Sequence, residues 1–252
     1  MSKRSGSSIF WEDTYVRLTH RPLNSLAFIL VPLAIYHTYA FRYGTPLLAP
    51  QDLARVLRYF GGSAVWVPPL LITIVLIAMH WASHCPWRVQ PIAVGGMLLE
   101  SFAWVLPVMG IGYLTSRLRL AAEVATSVGA ELPSQLSPFA QSCLQALGAG
   151  IYEEFMFRLC FVGLTMLLLV RVVSLRRDLA GVGAILAGAV LFSLYHFSAE
   201  QLGGAGAGFP WSQFVFRALA GMFLGGLYVC RGFGIVVGTH AVWNIWVAYL
   251  NS

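Results

Sequence analysis

Seven predominantly apolar runs, at 24–41, 65–83, 91–114, 151–173, 181–197, 211–230 and 232–250, dictate what this chain can fold into. Crossing the hydrocarbon core of a bilayer takes roughly 20 helical residues, and each run comes near that length. In lipid the backbone must satisfy its own hydrogen bonds, and a helix does so within one segment. A content of 58% hydrophobic and 10% charged residues, with mean hydropathy +0.73, excludes an ordinary water-soluble globule. The expectation is an all-α polytopic membrane helix bundle of seven to eight transmembrane helices, forming one integral membrane domain over 1–252. The eighth element would be 139–150, apolar but short and ending in a flexible "GAG", read as a re-entrant or interfacial piece. No internal repeat is evident, and low complexity is confined to "GGAGAG" at 203–208.

The N-terminal "MSKRSGSSIFWEDTYVRLTHRPLN" has no compact apolar region followed by a small-residue cleavage site, so no removable signal peptide is expected. Cys85, Cys143, Cys160 and Cys230 lack paired short spacing and read as packed thiols rather than a disulfide or zinc framework. The net charge of +6 sits mainly between the spans, which makes it a topological signal rather than a nucleic-acid footprint. With a cytoplasmic N-terminus, nine Lys and Arg residues fall inside against five outside. That orientation, in a cell inner membrane, is the expected one.

The ionisable residues inside the spans are the expensive ones: Glu100, Glu153, Glu154, Arg158, His196, Arg217 and His240, with Asn244 as a polar companion. Each costs on the order of 3 kcal/mol on insertion scales, and such residues usually face the bundle interior and carry function. Residues four apart share a helix face. Glu154 and Arg158 are so related, as are Phe192 and His196, and His240 and Asn244. Three helices thus present polar or aromatic-polar faces that can converge on one cavity. Glu153 lies about 100° around the helix from Glu154, so the two carboxylates should have different neighbours and different roles.

The stretches "EEFMFR" at 153–158, "FSLYH" at 192–196 and "HAVWN" at 240–244 resemble, in order and spacing, the motifs of the membrane-embedded CAAX-protease and bacteriocin-processing proteins. That family includes the type II prenyl-protein endopeptidases. The resemblance covers roughly the C-terminal half and implies a glutamic-type intramembrane peptidase. Carried over by position, it implies that Glu153 and His196 activate a water, while His240 and Asn244 polarise the scissile carbonyl and stabilise the oxyanion. Amide hydrolysis needs these functions: an activated water, a proton for the leaving amine, and donors aimed at the developing negative oxygen. Glu154 and Arg158 read as a buried ion pair, with Phe192 as a supporting aromatic.

Competing readings attach to several of these residues. Glu153 would cost little if the span began at Ile151 and left it at headgroup level. Glu100 and Arg217 either pair with each other or line the cavity, and Arg217 is a candidate for a substrate carboxylate. His80 and His84 have metal-ligand spacing but lack the glutamate of the zincin motif, and near Trp81 and Trp87 they read as an interfacial belt. Zinc on Glu153, His196 and His240 is the alternative to a metal-free site without cofactor. "GMFLGG" at 221–226 reads as a close-packed helix face. A proton- or ion-coupled transporter and a non-catalytic membrane scaffold are the rival classes. The expected partners are the bilayer and a membrane-anchored or lipid-modified protein or peptide, with no nucleic acid. The resemblance offers prenylated CAAX tails, propeptides and C-terminal sorting signals, and a cavity opening away from the cytoplasm favours an exported or membrane-anchored substrate.

Overall fold

The computed structural model describes residues 14–58, 66–117, 136–198, 201–202 and 209–252. The glycine-rich 203–208 and the extreme N-terminal 1–13 lie outside the described residues. Among those described there is no strand. The helices are α1 (Pro22–Tyr43), α2 (Leu48–Arg58), α3 (Val67–Ala82), α4 (Pro91–Arg117), α5 (Pro138–Glu154), α6 (Gly163–Arg171), α7 (Arg177–Tyr195), α8 (Trp211–Arg231) and α9 (Phe233–Leu250). A π-helical segment, Phe155–Val162, joins α5 to α6 without a break. Five helices, α1, α4, α7, α8 and α9, are each long and apolar enough to cross a membrane, while α3 is shorter at 16 residues.

Local chemistry sets the helix ends. Proline occupies the first turn of α1, α3 and α5, where its missing N–H costs nothing and its φ suits the helix. Ser137 caps α5, its hydroxyl accepting from the Ala140 N–H at 3.3 Å. Gly232, at φ +90°, turns α8 directly into α9. A Cβ there would stand 2.7 Å from the Thr19 carbonyl oxygen, so glycine is required on two counts.

α9 is the central helix, packed against α1, α4, α5 and α8, and every residue from Phe233 to Ala241 is buried. Around it the core gathers Ile29, Leu33, Tyr36, Met97, Ile151 and Tyr152. Outward, Ile92, Leu99 and Leu106 of α4 are 90%, 74% and 67% exposed at seven-residue spacing. A stripe of bare leucine and isoleucine that long is untenable in water and natural in lipid.

The expectation for 139–150 requires correction. The segment is not a separate short element: it forms most of α5, the same helix that carries the glutamates. Its glycines serve close approach instead. A Cβ on Gly148 would fall within 2.3 Å of the Tyr36 ring, and one on Gly150 would fall 2.9 Å from the Val237 carbonyl oxygen and 3.0 Å from the Ala241 nitrogen. α5 and α9 therefore touch backbone to backbone one turn before Glu154. Because backbone cannot swing aside, Gly150→Ala is expected to push the helices apart and destabilise the protein by about 1–3 kcal/mol. Thermal unfolding in detergent checks this, and a variant as stable as the parent would show slack between α5 and α9. The small-residue reading of 221–226 holds at two positions, where Gly221 and Gly225 face Ala189 and Ile185 of α7 at 3.0–3.1 Å from a built Cβ.

Glu100 does not pair with Arg217. It binds Arg231 through two contacts, 2.5 and 2.8 Å, and accepts from the Trp104 indole at 2.7 Å and the Tyr15 hydroxyl at 3.0 Å. This clasp ties the N-terminal segment and α4 to the end of α8. The amphipathic α2 was not foreseen either. Its Asp52 accepts a 2.6 Å hydrogen bond from Tyr195, which lays α2 beside the end of α7.

Candidate active site

Three helices deliver the polar residues to one place. Glu153 and Glu154 close α5, where the Tyr152 hydroxyl is hydrogen-bonded to His37 of α1. Arg158 follows in the π-helical segment, a wide-turn geometry frequent at functional sites. His196 is the first residue past α7, and His240 and Asn244 lie on α9. Glu153, Phe192, His196, His240 and Asn244 all line one cavity. Glu153 is thus 15 residues into a helix that begins at Pro138.

The hydrogen bonds constrain which imidazole nitrogens carry protons. His196 Nδ1 lies 2.7 Å from the Phe192 carbonyl oxygen. A carbonyl only accepts, so Nδ1 holds the proton and the Nε2 of neutral His196 presents a lone pair. That nitrogen stands 3.4 Å from Glu153 Oε2. Two acceptors facing each other at that distance call for a shared proton or for a water donating to both. His240 repeats the pattern. Its Nδ1 lies 2.7 Å from Glu154 Oε1, and its Nε2 lies 3.8 Å from Glu153 Oε2. One oxygen of Glu153 therefore faces two imidazole Nε2 atoms, and His240 spans the two carboxylates.

Glu154 and Arg158 form the expected pair, at 3.0 Å between Oε2 and Nε, with both side chains at most 2% exposed. Arg158 also donates to the Gly221 carbonyl at 3.4 Å and lies over the Phe192 ring at 4.3 Å. Sequence reasoning missed the other half of the Glu154 arrangement. Its second oxygen accepts a hydrogen bond from His240 Nδ1, on a helix 86 residues away, so Glu154 orients an imidazole as well as neutralising a guanidinium. No local spacing could announce that contact.

Other candidates fall into place around this centre. Arg217 lines the cavity, donating to Gln213 Oε1 at 3.5 Å and lying over the Phe197 ring. Asn244 lines it one turn beyond His240. His80 is not part of an exposed belt: it is buried, edge-on to Trp87 at 4.6 Å, while Trp81 and Trp87 face outward. All four cysteines are free thiols. Among the described residues, no group of three or more His, Cys, Asp or Glu is arranged to hold a metal ion.

Residues 135–246 match the family model for Type II CAAX prenyl endopeptidase Rce1-like proteins. The matched segment spans less than half of the chain and contains all three motifs, in agreement with the family resemblance read from them. No curated protein and no solved structure matches the chain.

Proposed function

We propose that this chain, whose residues 135–246 carry the Type II CAAX prenyl endopeptidase-like match, is a glutamic-type intramembrane endopeptidase. The family match implies CAAX-type endopeptidase activity in a membrane protein. The finer reading rests on one observation: Glu153 Oε2 faces His196 Nε2 and His240 Nε2 at 3.4 and 3.8 Å, inside one cavity.

A water between Glu153 and His196 donates one hydrogen to each. As its oxygen attacks the scissile carbonyl carbon, Glu153 takes the proton, the C–O bond forms and the carbonyl oxygen becomes negative. His240, flanked by the carboxylates of Glu153 and Glu154, works as the imidazolium. Only in that form can its Nε2 donate, since Nδ1 is committed to Glu154. Together with the Asn244 side-chain amide it stabilises the oxyanion. Collapse of the intermediate breaks the C–N bond, and Glu153 returns its proton to the leaving amine. Glu154 and Arg158 are positioning residues: the first holds His240 upright, and the second fixes the first through the buried ion pair. Phe192 supplies the carbonyl that fixes the His196 tautomer and the ring beneath Arg158.

With a cytoplasmic N-terminus in the cell inner membrane, α9 ends on the far side of the membrane, and the cavity runs toward that end past Val247 and Ala248. This favours an exported or membrane-anchored segment over a cytosolic prenylated tail. The test is purified protein in detergent, given a farnesylated CAAX-type peptide and a membrane-anchored C-terminal sorting peptide, with products read by mass spectrometry. Cleavage of the second peptide is expected; cleavage of neither would overturn the peptidase reading.

The mechanism uses no metal, and His240 is the residue whose role depends on that. A zinc site would take three protein ligands around an open position, leaving Asn244 as the one oxyanion donor of the three motifs. Activity is expected to survive exhaustive dialysis against a strong chelator, with zinc well below one equivalent per chain. Loss on chelation, restored by zinc alone, would reassign His240 as a ligand.

A further inference from the structure

The cavity continues beyond the catalytic groups, and two of its lining residues, Gln145 and Thr239, carry buried oxygens that have no hydrogen-bond partner among the described residues. On α5, Ser142, Gln145, Ala149 and Glu153 line it, spaced three or four apart and so on one helical face. On α9, His240, Asn244 and Ala248 do the same, with Thr239 beside His240 also lining the cavity. The two helices run antiparallel: Glu154 meets His240, and Phe139 meets Tyr249. Their lining faces thus form two sides of a slot leading from the catalytic groups toward the start of α5 and the end of α9.

Two side chains in this slot are nine-tenths or more buried with an unsatisfied oxygen. Gln145 is 6% exposed and its Oε1 has no hydrogen-bond partner; Thr239 is fully buried and its Oγ1 has none. A buried acceptor or hydroxyl left without a partner costs stability. A helix interior ordinarily resolves that cost with an apolar residue or, for threonine, with a bond to the carbonyl one turn back.

We infer that Gln145 and Thr239 are subsite residues that receive the main-chain amides of an extended peptide substrate lying along the α5–α9 slot. The inference rests on the peptidase reading of the same site. A peptide entering a bundle buried in lipid brings unpaired N–H and C=O groups, each costly without a partner. Side-chain amides and hydroxyls pair with such groups whatever the substrate's own side chains, so they fit a site that reads chain conformation. Thr239 adjoins His240 and serves the residues flanking the scissile bond. Gln145 stands eight residues before Glu153, ~12 Å along the helix. At roughly 3.3 Å per extended residue, it meets the substrate three to four residues from the cut. A substrate segment that cannot straighten there, such as one continuing as helix, would leave Gln145 unsatisfied.

The experiment uses whichever peptide the purified protein cleaves in the preceding test, bound to the full-length Glu153→Gln protein and read by fluorescence anisotropy. Single N-methyl groups are placed on each backbone amide in turn. The methyl three or four residues from the cleavage site is expected to weaken binding about tenfold, more than its neighbours do. Adding Gln145→Leu, which keeps the bulk and removes the amide, should weaken the unmethylated peptide by a similar factor and erase sensitivity to that one methyl. Thr239→Val should act on the positions flanking the cut. In the otherwise wild-type protein, Gln145→Leu should raise KM with little change in kcat. If Gln145→Leu binds parent and methylated peptides as the unsubstituted protein does, the subsite is overturned and the peptidase reading stands. If neither peptide is cleaved, both fall.

Discussion

Glu153→Gln is expected to give a folded protein that no longer cleaves. The amide matches the carboxylate in shape, and Glu153 carries none of the ion pair that holds the helices, so yield and melting in detergent should stay near those of the parent. The amide cannot take a proton from water at neutral pH. General-base catalysis contributes about 10²–10⁴-fold, and in the proposed mechanism the same carboxylate also returns the proton to the amine, so the loss should lie at or beyond the top of that range. His196→Ala should be similarly inactive, since a water held by Glu153 alone loses its second acceptor. Quantified cleavage by matched amounts of each variant decides the point. Full activity in Glu153→Gln would end the assignment of this residue as the base.

Arg158→Ala is expected to fail differently, with loss of the folded protein as well as of activity. Removing it strands Glu154, whose side chain is wholly buried, and stranding one member of a buried ion pair typically costs about 3–5 kcal/mol. The contact to the Gly221 carbonyl and the packing over Phe192 go with it. Lysine should rescue little, because a single ammonium cannot reach both Glu154 and Gly221 as the guanidinium fork does. The informative variant is the double replacement Glu154→Leu with Arg158→Leu. Taking out both charges should recover much of the stability, while activity stays lost because His240 has no acceptor to hold it. A double variant that melts like the parent and still cleaves would show that Glu154 has no part in orienting His240.

The contrast between these two glutamates was half visible from composition and spacing. The four-residue intervals in "EEFMFR", "FSLYH" and "HAVWN" are local geometry, and helix periodicity alone predicts that each motif presents one face. The Glu154–Arg158 pair follows from it. Contacts between helices have no such signature: that Glu154 also holds His240, or that Glu100 chooses Arg231 over Arg217, depends on how distant segments pack. The glycines before the glutamates misled for a related reason. Glycine in an apolar run marks either a place where the backbone bends or one where another backbone comes close, and only the neighbours Val237 and Ala241 distinguish the two. The amphipathic α2, with its mixed polar surface, carries no hydropathy signal of a span. Gln145 was invisible as a site residue because its meaning lies in a missing partner.

The π-helical turn across Phe155–Val162 bears on how a chain of this kind can change length over generations. In a regular helix, losing one residue rotates everything downstream by about 100°, which would swing one half of a buried helix into lipid. A π turn closes its hydrogen bonds one residue later than an α turn, so it has room for one residue more between helix faces that stay in place. A lineage can therefore shed one residue there and keep both α5 and α6 seated, reverting to ordinary winding. What it would forfeit is the wide turn in which Arg158 sits. The segment that tolerates a change in length is thus also the one that carries Arg158, the ion-pair partner of the carboxylate behind His240.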